Sequence, residues 1–180
     1  MGFQFNTKYW PIIYFKVCDE INDENFEEYK VNYLNLLIKS KKNKDKVFLI
    51  ADLNTEIQIP MKYIFKLATF NKKLYKFNKL YLECVCIFSQ SKTFKNILNI
   101  YLSLITPSSP YKLCSSFDKI NIYLKNNFNL DFNTSVFYDK NIPIEINNYN
   151  NSKNNDNNKK ATLYKILQNE DNVSEITQKN

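Results

Sequence analysis

Four times along this chain a short, nearly unbroken apolar run is followed by a stretch with helical periodicity, and that alternation limits the fold more than any other feature. The runs are YWPIIYFKVC (Tyr9 to Cys18), VFLIADLN (Val47 to Asn54), YLECVCIFS (Tyr81 to Ser89) and YKLCS (Tyr111 to Ser115). Their β-branched and aromatic content reads as buried strands. Between them Phe26, Tyr29, Tyr33, Leu36 and Leu37 recur at helical spacing, behind Asn22 or Asp23 as a cap. Pro60 opens one periodic block over 60–79, with Met61, Ile64, Phe65 and Ala68 on one face. Ser89 or Ser91 caps a third helix carrying Phe94, Ile97, Leu98 and Tyr101, which TPSSP stops, and Ser116 precedes a last one through Phe117, Ile120, Leu124 and Phe128. Strands alternating with helices of this length call for right-handed crossovers. The expectation is an α/β fold: a four-stranded, mainly parallel sheet with alternating helices over 9–130, followed by an asparagine-rich C-terminal tail.

Residues 131–146 read as an edge strand or an extended wrap. The tract NNYNNSKNNDNNKK is too polar to repay the entropy of ordering, so 147–180 reads as a largely disordered tail with a short helix at 161–168.

Composition then removes whole classes of chemistry. There is no histidine to act as base, ligand or pH switch. The single glycine, Gly2, leaves no interior glycine for the loops that cradle nucleotide phosphates. All 25 basic residues are lysine, dispersed along the chain, so the net charge of +7 lacks the planar forks that read guanine edges, and a nucleic-acid partner is not expected beyond weak, non-specific binding. The spacing of Cys18, Cys84, Cys86 and Cys114 matches neither a zinc knuckle nor a redox pair, and reads as buried thiols in a reducing compartment. No apolar stretch reaches the length of a membrane span, and MGFQFNTKYWP has no basic region leading into an apolar one, so a cytoplasmic location is expected.

Functional groups of parallel sheets gather beyond the carboxyl ends of the strands, which singles out Asp19, Asp52, Asn54, Ser89, Ser91 and Ser115. Asp52 is the strongest of these. With Asp19 it offers a carboxylate pair of the kind that holds magnesium, which leaves a small metal-dependent enzyme or phosphotransfer domain as an alternative. Serine and cysteine nucleophiles lack a local activating base, so no catalytic residue and no cofactor is assigned. Tyr9, Trp10, Tyr14 and Tyr111 offer aromatic surface, and the helix after SQSK offers unbonded backbone amides, both generic features.

The order and the segments WPIIYFKV, NDENFEEYKVNYLNLL, VFLIADLN, CVCIFSQSK and PSSPYKLCSSFDKINIYL together resemble the small sulfate-transporter and anti-sigma-factor-antagonist (STAS)-like regulatory domains, over Trp10 to Phe128. In typical members an aspartate after the central strand precedes a phosphorylatable serine at the next helix. Asp52 matches the aspartate, but TEIQIPMK supplies Thr55, then Ile59 and Pro60, in place of the serine. What the resemblance implies is a non-enzymatic module that binds a partner protein, or a second copy of itself, through Asp52, Asn54, Thr55, Glu56 and Gln58 between the second strand and second helix.

Overall fold

A computed structural model describes residues 2–18, 20–53 and 59–132. Among these residues five strands, β1 (Phe3–Asn6), β2 (Ile12–Val17), β3 (Val47–Asp52), β4 (Leu82–Phe88) and β5 (Tyr111–Cys114), form one sheet in chain order. β1 runs antiparallel to β2, and the others are parallel to their neighbours. The expected four strands are thus corrected to five in a mixed sheet. The added strand, FQFN, is too short to stand out as an apolar run, and it is held by pairing: Phe3 faces Val17, and its ring lies 5.7 Å from that of Phe15.

The helices are α1 (Asp23–Asn43), α2 (Met61–Lys73), α3 (Tyr75–Tyr81), α4 (Lys92–Leu104) and α5 (Phe117–Phe128). α1 starts at Asn22, whose side chain accepts from the Asn25 amide while the Asn25 side chain accepts from the Asn22 amide. Gly2 lies so close to this reciprocal cap that a Cβ there would run into the Asn25 carboxamide. The block at 60–79 is two helices rather than one. It breaks at Leu74, a fully buried residue whose amide still bonds back to Phe70 and Asn71.

Parallel strands laid down in chain order with crossovers of one hand send every connecting helix to the same face. On that face Phe26, Tyr29, Leu34 and Leu37 of α1, Tyr63, Ile64 and Phe70 of α2, Phe77 of α3, and Leu98 and Tyr101 of α4 pack on Ile13, Phe15, Ala51, Val85 and Ile87. A polar chain threads this core: the Tyr33 hydroxyl donates to Asn78, and the Asn78 and Asn71 amides continue it to the Tyr101 hydroxyl. The opposite face carries only α5 among the described residues. Phe117, Ile120 and Leu124 cover Phe48, Ile50, Cys84, Cys86 and Cys114. After α5, Asn129 turns the chain in the left-handed conformation, and Leu130 and Phe132 pack on the same cluster. The wrap or edge strand expected at 131–146 falls outside the described residues from 133 onward, as do the tail 147–180 and the helix at 161–168.

Candidate functional site

The carboxyl ends of β2, β3, β4 and β5 come level in the row Lys16, Asp52, Phe88 and Cys114. Side chains alternate along a strand, and Asp52 shares the parity of Ile50, so this row faces α5. Asp52 is 8% exposed, and the Tyr14 hydroxyl donates to its Oδ2 at 2.5 Å. Burial first, then the bond to Asp52 and its negative charge, hold the Tyr14 phenol well above its ordinary range. Phe117, the first residue of α5, closes over the pair, with its ring 6.2 Å from Tyr14 and 4.5 Å from Phe88. A buried carboxylate accepting a hydrogen bond from a phenol ties β2 to β3 at the point where α5 begins.

Of the five residues singled out as an interaction surface, Asp52 is therefore an inward group, while Asn54, Thr55, Glu56 and Gln58 lie outside the described residues, as does Asp19. Ser89 is 1% exposed and its hydroxyl accepts from the Ser91 amide. Ser91 and Ser116 cap α4 and α5. The Ser115 hydroxyl accepts from the Lys119 ammonium at 2.9 Å. Among the described residues no three His, Cys, Asp or Glu side chains are gathered as a metal would need.

The surface of α2 differs from the one its periodicity suggests. The spacing places Met61 and Phe65 on a buried face with Ile64 and Ala68, but the stripe that α2 buries is centred on Tyr63, Ile64, Ala68 and Phe70. Met61 and Phe65 fall beyond its edge, one turn apart, 41% and 51% exposed. Counting Tyr63, Leu67 and Phe70 in the pattern shifts the stripe and exposes the pair. Lys62 and Lys66 lie over the Tyr63 ring beside them, and Lys66 bonds Asp23.

Three further groups come together elsewhere. Lys95 from α4, Lys112 from β5 and Lys119 from α5 line a cavity of about 520 Å³ beside the outer edge of β5. Ser89, Ser115, Ile122 and Tyr123 complete much of its wall. No helix among the described residues is long and apolar enough to cross a membrane. Comparison with family models, curated proteins and solved structures finds no match to this chain.

Proposed function

We propose that this chain is a STAS-like regulatory module that recognises a partner protein, or a second copy of itself, through the segment joining β3 to α2 and the first turns of α2. The observation that carries the reading is the exposed pair Met61 and Phe65, which prolongs that segment onto the helix surface. Two large apolar side chains held one turn apart on a rigid helix, with Lys62 and Lys66 beside them, have the make-up of an interface core and its charged rim. A mixed sheet with its connecting helices on one face also agrees with a regulatory domain better than with a sheet holding a deep catalytic cleft. Asp52 then supports the segment from beneath, as a positioning residue of the strand end. Four cysteines held as thiols suit a reducing compartment such as the cytoplasm. The magnesium reading through Asp19 and Asp52 gains no observation.

The test compares affinity capture and crosslinking by the full chain with two variants, one carrying Met61→Ser and Phe65→Ser, the other altered at Asn54, Thr55, Glu56 and Gln58. Both sets of changes leave the buried stripe of α2 intact, so circular dichroism should be unchanged. Loss of one and the same partner, or of self-association in sedimentation, from both variants supports the reading. Equal recovery by all three chains overturns it.

A further inference from the structure

The lysine-lined cavity lies at the opposite edge of the sheet from β1 and belongs to none of the machinery above. Its residues come from three elements that the chain order of the strands brings to one corner. β5 places Lys112 in register with Cys86 and therefore on the α5 face, where its ammonium sits 5.5 Å from the centre of the Tyr123 ring. α5 brings Lys119 and Tyr123 to the same side, one turn apart, and Lys119 is anchored on the Ser115 hydroxyl. The Cys114 thiol in the same wall is raised by burial and lowered in part by the positive charge of Lys112 and Lys119. Lys95 closes the corner from α4. Among the described residues no acidic side chain lines the cavity, although Asp118 neighbours Lys119 in the chain.

We infer that this corner binds a small organic phosphate whose body is planar and apolar. Three lysines lining one cavity, with no carboxylate among the described lining residues, suit a doubly charged phosphomonoester, and the exposed Ser115 hydroxyl in the same wall can add a hydrogen bond. The rest of the described wall sets the Asn126 and Asn127 side chains beside an apolar patch, Leu113, Ile122, which is 59% exposed, and the Tyr123 ring that the Lys112 ammonium flanks, against which a ligand ring can lie. A volume of about 520 Å³ suits a ligand of mononucleotide size. The site makes no use of glycine-built phosphate loops. It substitutes side-chain ammonium groups for backbone amides, which is the route open to a chain whose only glycine is Gly2.

The test titrates the full chain with adenosine 5′-monophosphate, adenosine and inorganic phosphate, read by amide chemical shifts and by calorimetry at low salt. The expected result is saturable binding of the monophosphate with shifts centred on Lys112, Ser115 and Tyr123. Lys112→Ala with Lys119→Ala should weaken it about tenfold or more, and higher salt should weaken it in the same direction. Tyr123→Ala should weaken the monophosphate about threefold to tenfold while leaving inorganic phosphate unchanged. Because all three residues are at the surface or its margin, thermal midpoints confirm that each variant is folded. Adenosine binding as tightly as the monophosphate overturns the anion site, and inorganic phosphate binding as tightly overturns the planar subsite. The absence of saturable binding at millimolar monophosphate, or a double-lysine variant with unaltered affinity, overturns the whole inference.

Discussion

Between about pH 5.5 and pH 8.5 the stability of the folded chain is expected to stay level, and above about pH 10 to collapse. The plateau follows from the absence of histidine. The collapse follows from the helical face of the sheet, where Tyr29, Tyr33, Tyr101 and Tyr111 are held above the ordinary phenol value of 10.0, with desolvation the leading cause for each. A phenol raised in this way keeps its proton in the folded chain at a pH where the unfolded chain has lost it. Its contribution is complete below about pH 10 and is lost as pH climbs toward the folded value. Each such group removes up to about 1.4 kcal/mol per pH unit, so four together remove at most about 6 kcal/mol per unit. Against a total stability of about 5–15 kcal/mol, the fold should be gone within about 1–3 units of that onset. Cys86 and Cys114, also raised above the ordinary thiol value of 9.0, start the decline slightly earlier. Lys30, lowered by partial burial, acts in the opposite sense but is a single group near the surface. Urea titrations at closely spaced pH measure the stability, and tyrosinate absorbance measures the phenols. The buried phenols should ionise only together with unfolding. All 13 tyrosines titrating as one curve near pH 10 in a chain that remains folded would refute the packing of that face.

Lys44 ends α1 at φ 59°, a left-handed position, so Lys44→Gly should raise stability by about 1 kcal/mol, seen as a higher urea midpoint; a lower midpoint would contradict the cap geometry. Tyr33→Phe leaves the buried Asn78 carbonyl oxygen without its donor and should cost about 1–3 kcal/mol by the same titration, whereas a neutral result would show that the polar chain through Asn78 and Asn71 is not closed. Ile120→Ala empties a fully buried position beneath α5 and should cost about 2–5 kcal/mol. Hydrogen exchange should then show α5 and β5 opening before α1, and uniform loss of protection would count against α5 packing as a separate layer.

The alternation of apolar runs and periodic stretches was enough to place four strands and the helices between them, because each of those signals is local. FQFN escaped because its alternation spans only four residues, too short to stand out, and its partners Phe15 and Tyr29 lie many residues on. The break at Leu74 escaped for the converse reason: the apolar spacing runs through it without interruption, and only the geometry of the packed helices bends there. Asp52 was legible as the end of a strand. That it points inward to Tyr14, 38 residues earlier in the chain, depends on register, which no single segment carries. Lys95, Lys112 and Lys119 looked dispersed because they are dispersed in sequence, and they converge only when α4, β5 and α5 meet at one corner.

A sheet whose strands lie side by side in the order in which they are made has a consequence for synthesis. Each strand from β2 onward can dock on its immediate predecessor as soon as it leaves the ribosome, and nothing already in place must move aside. The growing edge is always the newest strand, whose face is covered by the helix that follows and whose open edge waits only a few dozen residues for the next strand. Among the described residues the last strand is β5, a short one that carries a lysine and so is a poor template for another chain.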